Sequence, residues 1–344
     1  MSDFSAILDQ LSVGRNLTPE MASDALRQII HGKVNGARTA AFLFGMRMKG
    51  ETVEELTSLV KVMRDACIEV SVPTDHAVDL CGTGGDKSGS FNISTAAMFV
   101  AAGADVPILK HGNSGVSSRS GSFDVLKALG TEPGLNKEQV EGCFRQCGMA
   151  FLYAPNFHPA MGKVMPVRKE LGSPTFFNLM GPVLNPAMVK RQVIGAYDLH
   201  TAGMLARILA GLDTELAFTV HADDGLDEFS VSATSQLYEL RNGQLKGPVQ
   251  VDPRQFGLTM ADQGVLSGGS PEENAGIIRA VLENRSNLAC QEVVLLNATF
   301  AIHASGLYDD VQEAFYEASE SLGTGRAEDA LNRFAEASRD FGSC

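Results

Sequence analysis

Asp79-Leu-Cys-Gly-Thr-Gly-Gly-Asp-Lys-Ser-Gly-Ser-Phe-Asn-Ile-Ser-Thr95 is a glycine- and hydroxyl-rich turn between an apolar run and an alanine-rich one. His76 to Leu80 reads as a strand, Asn92 to Ala102 as a helix, and Val106 to Leu109 as a second strand. Strand, helix, strand is the repeating unit of a parallel sheet. A second glycine- and serine-rich segment follows directly: Lys110-His-Gly-Asn-Ser-Gly-Val-Ser-Ser-Arg-Ser-Gly-Ser122. Both loops present many N–H groups and hydroxyls with little side-chain bulk, which suits phosphate oxygens. Two such loops point to a ligand phosphorylated at more than one place.

Neither loop fits a familiar nucleotide template. A dinucleotide fingerprint needs glycine where Lys87 stands, and a Walker loop needs glycine where Asp86 stands. What remains is Gly82-Thr-Gly-Gly-Asp86, Ser90, and a helix start at Asn92-Ile-Ser-Thr95, where unsatisfied N–H groups favour an anion. Asn92 alone would be an ordinary N-cap. The coincidence of three glycines, an acid and a hydroxylated helix start favours a phosphate site. In the second loop Lys110 is the strong cation, and Ser117, Ser118, Ser120 and Ser122 add hydroxyls.

Outward from this core the chain changes character. The first seventy residues show only helices. Phe4, Ile7, Leu8 and Leu11 form one apolar stripe; Thr18 and Pro19 open a second helix that stops at Gly32. Ala40, Leu43, Phe44 and Met48 mark a third, and a Thr52/Glu55 capping box starts a fourth with Leu56, Leu59, Val60 and Met63 inward. Pro73 marks the exit from this unit. Later strands are expected at Met149 to Tyr153, Gln192 to Tyr197 and Glu215 to His221, with a helix at Leu199 to Leu212. Asn242-Gly243 signals a hairpin, and a Ser270/Glu273 capping box opens a helical C-terminal part. The expected architecture is a small helical domain over residues 1–72, joined by helices from about 165–188, and a large α/β domain over 73–344 with a mostly parallel sheet.

Bulk properties narrow the function. The chain has 344 residues, a formal charge of −13, 20% charged residues and a mean hydropathy of zero. The acidic balance argues against sequence-independent nucleic-acid binding. No membrane span or signal peptide is read, and the six cysteines lack zinc-ligand spacing, so a reducing cytoplasm is expected. The loop His221-Ala-Asp-Asp-Gly-Leu-Asp-Glu228 follows an apolar strand, and Asp227 and Glu228 suit Mg²⁺. His158 and Arg168 are read on one helical stretch, ten residues apart.

Together these stretches resemble the anthranilate phosphoribosyltransferases of tryptophan biosynthesis. The resemblance is carried by Asp79-Leu-Cys-Gly-Thr-Gly-Gly-Asp86, Asn92-Ile-Ser-Thr-Ala96, Lys110-His-Gly-Asn113, Ser117-Ser-Arg-Ser-Gly-Ser122, Asp124-Val-Leu-Lys-Ala-Leu-Gly130, His158-Pro-Ala-Met161, Val167-Arg-Lys-Glu-Leu-Gly172, Phe177-Asn-Leu-Met-Gly-Pro182 and Asp227-Glu228. It implies transfer of the phosphoribosyl group of 5-phosphoribosyl 1-diphosphate (PRPP) to the amine of anthranilate, with Mg²⁺ at about two ions per site. It also implies a homodimer formed through the helical domain. Gly82, Gly85, Asp86, Ser90, Asn92, Ile93, Ser94, Thr95, Lys110, His111, Gly112, Asn113, Ser114, Gly115, Val116, Ser117, Ser118 and Ser122 correspond to the PRPP site. Ser94, Asp227 and Glu228 correspond to metal ligands. Gly82, Asn113 and Arg168, with His111 and His158, correspond to anthranilate contacts. Lys110 and Asp86 are assigned electrostatic roles, with no general base. The family usually has arginine after Lys-His-Gly-Asn, where this chain has Ser114-Gly115.

Two other readings compete. A pyrimidine nucleoside phosphorylase would carry Lys-x-Ser-Gly-Arg in place of Lys110-His-Gly-Asn-Ser. A non-enzymatic, nucleic-acid-binding paralogue has no use for Asp86, Arg168 and the Asp227-Glu228 pair, and the negative charge disfavours it.

Overall fold

The protein is described by a computed structural model covering residues 2–115 and 120–343. Four helices come first: α1 (Phe4–Ser12), α2 (Pro19–Ile30), α3 (Gly36–Lys49) and α4 (Val53–Asp65). Their ends follow from local chemistry. Thr18 caps α2 with Pro19 in the first turn, and the Thr52/Glu55 capping box starts α4. Glu55 is fully buried and also accepts from Leu17 N (2.6 Å) and Lys49 Nζ (2.6 Å), so one carboxylate ties three elements together. In α3 the buried stripe is Thr39, Phe42, Leu43 and Met46. Phe44 and Met48, which mark this helix in the sequence, are 45% and 69% exposed. The helix is apolar on several sides, and two overlapping stripes fit its sequence equally well.

The α/β part runs β1 (Val78–Gly82), α5 (Ile93–Gly103), β2 (Ile108–Gly112), α6 (Ser122–Ala128), α7 (Lys137–Cys147) and β3 (Met149–Tyr153). Three helices follow, α8 (Ala154–Phe157), α9 (Met161–Leu171) and α10 (Phe177–Met180), then β4 (Arg191–Gly195), α11 (Leu199–Ala210) and β5 (Leu216–Ala222). A hairpin, β6 (Ser235–Arg241) and β7 (Gln244–Val251), turns on Asn242-Gly243, both at positive φ as a two-residue turn requires. The chain ends in α12 (Pro271–Leu282), α13 (Leu288–Ser305), α14 (Val311–Gly323) and α15 (Arg326–Gly342).

The seven strands lie in the order β3-β2-β1-β4-β5-β6-β7, the first five parallel and the hairpin antiparallel. Strand order reverses around β1, and the carboxyl ends at such a reversal form a ligand crevice. Two strands sit later than their apolar runs suggest. Cys81 and Gly82 pair with Ile194 and Gly195, and Lys110, His111 and Gly112 pair with Phe151, Leu152 and Tyr153. The polar residues expected in a loop after β2 therefore belong to the strand, because ladder pairing continues regardless of side-chain polarity.

Each sheet face has its own core. One face packs against α5, α7 and α12 to α15, with α13 almost wholly buried. The other face, through Ile194, Ala217 and Leu240, meets α11 and the four N-terminal helices. Val164, Phe176, Phe177, Met180, Val183 and Leu184 join that second core beside the N-terminal helices, while Ala187 belongs to the first.

Candidate active site

The carboxyl ends of β1, β2, β4 and β5 bring three loops together. Leaving β1, Thr83 N donates to the Gly195 carbonyl (2.9 Å), and Gly84 N donates to Asp227 Oδ2 (2.9 Å). The acidic loop after β5 thus lies directly over the ends of β1 and β4. That approach needs glycine beneath it. A Cβ on Gly82 would sit 2.5 Å from Asp227 Oδ2, and one on Gly195 would overlap the Asp227 carbonyl oxygen. Gly195 was missed from sequence, although a glycine inside a strand signals close backbone approach.

Glu228 reaches the start of α5, where its Oε1 accepts from Ser94 N (3.2 Å). Ser94 Oγ in turn accepts from Lys110 Nζ (3.2 Å), and the same ammonium donates to the Leu80 carbonyl. Lys110 is 2% exposed. Burial pushes its pKa down, while Asp79, Glu228 and Asp227 oppose that shift. Its charge faces an acid cluster inside the sheet, so Lys110 is a counter-ion to these carboxylates. Burial pushes Glu228 up to about 7, with repulsion from Asp86 adding and Lys110 and Ser94 opposing. Asp227 is pushed well above the usual carboxylate range by burial and by Asp86 and Glu228 beside it.

These acids fit a divalent cation. Asp86 Oδ2 is buried with no hydrogen-bond partner, and its neighbours Asp227 and Glu228 resist ionisation side by side. Among the described residues no three His, Cys, Asp or Glu side chains close into a cage. Mg²⁺ seldom uses an all-protein cage and completes its shell with water and substrate phosphate.

Asp79, quoted in the motif but given no role from sequence, anchors the sheet below. It is fully buried, and its oxygens accept from His111 N (3.0 Å) and Asn185 Nδ2 (2.9 Å). Burial raises its pKa to about 6, against the pull of Asn185 and Lys110.

In the second loop Asp124 Oδ2 accepts from Gly115 N (2.8 Å) and Gly121 N (2.9 Å), fastening both ends. Asn113 O accepts from Phe123 N (3.2 Å), and Asn113 Oδ1 accepts from Ser114 N (2.8 Å). Gly112 leaves room for Ser122 and Phe151, where a Cβ would clash. Val116, Ser117 and Ser118 lie outside the described residues.

His158 does not share a helix with Arg168. It follows the one-turn α8, and a turn at Pro159 and Ala160 separates it from α9. His111 and His158 instead meet edge to face, with ring centroids 5.2 Å apart. Burial drives their pKa values down to about 3 and about 4, the two rings repelling each other's charge at His111. Both are neutral at pH 7. Arg168 lies near the end of α9, its Nη2 donating to Asn178 Oδ1 (3.0 Å) and its guanidinium 5.4 Å from the Phe177 ring centre. No described hydrogen bond joins Arg168 to the phosphate loops.

The chain is similar to known proteins over nearly its whole length. Residues 5–67 match the "Glycosyl transferase family, helical bundle domain", and residues 74–328 match the "Glycosyl transferase family, a/b domain". An anthranilate phosphoribosyltransferase of Salinibacter ruber is 45% identical over 340 residues, covering 98% of each chain. Another, from Pelotomaculum thermopropionicum, is 45% identical over 323 residues, covering 94% of this chain and 93% of its own. The solved enzyme of Thermus thermophilus superposes with a TM-score of 0.90 at 34% identity, over 96% of this chain and 99% of that one. The Saccharomyces cerevisiae enzyme, solved in complex with PRPP and Mg, superposes with a TM-score of 0.88 at 27% identity, over 98% of each.

Proposed function

The chain belongs to the anthranilate phosphoribosyltransferase family, and from that premise we propose how its residues divide the reaction. It is a pentosyltransferase that moves the 5-phosphoribosyl group of PRPP to the amine of anthranilate, giving N-(5-phosphoribosyl)anthranilate and pyrophosphate in tryptophan biosynthesis.

Breaking the bond between ribose C1 and pyrophosphate leaves positive charge on the sugar and negative charge on the departing group. The N–H groups of Gly85 and of the α5 start, with the Ser90 and Thr95 hydroxyls, receive the diphosphate. Thr95 Oγ1 is buried without a protein partner, as a hydroxyl awaiting a ligand would be. Asn113, Ser114, Gly115 and Ser122, with Val116 to Ser118, bind from the second loop. Ser94, Asp227 and Glu228 would hold Mg²⁺, about two ions per site, with Asp86 alongside; when bound, the ions supply charge against the leaving diphosphate. Lys110 favours the ionised form of Glu228 from below, against its burial. This is electrostatic stabilisation aimed at charge that develops in the transition state.

Arg168 takes the anthranilate carboxylate through its planar fork, oriented by Asn178 and Phe177. Gly82 and Asn113 border the ring, and the neutral His111 and His158 form a wall without charge. The aryl amine is already neutral at pH 7, and imidazoles with pKa values of about 3 and about 4 are weak bases, so no general base is assigned. The helical part forms a homodimer interface, to which the exposed Phe44 and Met48 of α3 contribute. The five described cysteines are free thiols, which suits the cytoplasm.

The observation that carries this reading is the hydrogen-bonded chain Lys110–Ser94–Glu228 beside Asp227 at the strand ends. It is tested by following anthranilate fluorescence with PRPP, with and without Mg²⁺. Fluorescence loss that needs both is expected; none with both present refutes the reading.

A further inference from the structure

Asn92 stands at the N-cap of α5, yet its side chain makes no capping hydrogen bond. Its Nδ2 donates instead to the Ser120 carbonyl (3.2 Å), and its Oδ1 accepts from Asn274 Nδ2 (2.9 Å). Asn274 opens the second turn of α12 and is 2% exposed. Its own Oδ1 accepts from Gly269 N (2.7 Å). A carboxamide has one acceptor and one donor group. With its oxygen turned to Gly269 N, Asn274 presents its Nδ2 to Asn92. Asn92 must then turn its oxygen to Asn274 and its amide to Ser120.

This relay has two consequences for the phosphate loops. The Asn92 side chain takes up none of the first N–H groups of α5, of which Ile93 N donates to the Phe91 carbonyl (2.8 Å) and Ser94 N to Glu228 Oε1 (3.2 Å). The far end of the second loop, at Ser120, is tied to the end of the first. The backbone before α12 braces the same place: Phe91 N donates to the Leu266 carbonyl (3.0 Å), and Gly268 N to the Gly89 carbonyl (2.8 Å).

We infer that Asn274 is a positioning residue for diphosphate binding, setting the Asn92 amide so that both phosphate loops hold one geometry. The inference rests on the PRPP site proposed above. Asn274 reaches the phosphate loops through Asn92, so its effect belongs to PRPP and not to anthranilate.

The test compares Asn274→Ala, Asn92→Ala, the double variant and Ser270→Ala by steady-state kinetics and thermal unfolding. Losing one hydrogen-bond relay should raise the PRPP KM about tenfold in Asn274→Ala and leave the anthranilate KM within about twofold. The double variant should be no worse than Asn92→Ala, since the two residues act in series. Ser270→Ala removes the cap of the same helix (Glu273 N to Ser270 Oγ, 3.2 Å); it should lower Tm and leave the PRPP KM unchanged. An unchanged PRPP KM in Asn274→Ala overturns the inference, as do multiplying effects in the double variant or a matching KM rise in Ser270→Ala. Wild-type protein that consumes no anthranilate overturns the proposed site itself.

Discussion

Replacing Lys110 with methionine tests whether its charge serves the acid cluster. The side chain keeps nearly the same length, but the Leu80 carbonyl and the Ser94 hydroxyl lose their donor. Asp79 and Glu228 lose the cation that opposes their raised pKa values. Removing one partner from a buried charged group costs roughly 3–5 kcal/mol. Relief from burying the ammonium offsets part of this, which leaves about 3 kcal/mol at pH 8. In a chain of this size that lowers Tm by about 4 °C. The pH dependence has a definite sign. Folded pKa values of about 6 for Asp79 and about 7 for Glu228 lie above their ordinary 3.8 and 4.5. The native state therefore takes up protons as pH falls through 7 and 6, and the ionised acids cost stability above that window. Without Lys110 both values rise further. The deficit of Lys110→Met should be largest at pH 8 and shrink by about half at pH 5.5. Thermal unfolding in EDTA, wild type against variant at both pH values, reads this directly. Equal deficits at the two pH values, or none at pH 8, would refute the counter-ion role.

Three further perturbations address other parts of the site. Arg168→Ala removes the charged fork and should raise the anthranilate KM roughly 10- to 100-fold, with the PRPP KM unchanged; a rise confined to PRPP means the acceptor site is elsewhere. Gly195→Ala drives a Cβ into the Asp227 carbonyl and displaces the acidic loop, so kcat/KM should fall about a hundredfold although Gly195 touches no substrate. Wild-type kinetics in that variant would show the loop free to move. Ser114→Arg adds a permanent cation beside the second loop and should lower the PRPP KM about two- to fivefold; an unchanged or higher KM counts against a diphosphate there.

Local signals in this chain were legible wherever one residue decides a conformation. The Thr52/Glu55 and Ser270/Glu273 boxes, Pro19, and the Asn242-Gly243 turn all act within a few residues of themselves. The turns after β1 and β2 were also legible as loops, since glycine and hydroxyl density breaks regular structure there. Less could be read where partners are far apart in sequence. Lys110 looks like a free cation until Leu80, Ser94 and Glu228 surround it. Asp124 looks like one helix residue among many until it gathers the ends of the second loop. Asn92 looks like a cap until Asn274 claims its side chain from 182 residues away. Phe44 and Met48 mark α3 without lying in its buried stripe, which periodicity alone does not single out where apolar residues fall on several sides.

The most direct test is a crystal structure of the protein soaked with PRPP, Mg²⁺ and an unreactive anthranilate analogue. The diphosphate should rest on the amides around Gly85 and Ser94, with metal density against Asp227 and Glu228 and the analogue's carboxylate on Arg168. Diphosphate density away from the ends of β1 and β2, or an analogue that leaves Arg168 paired only with Asn178, would contradict the account.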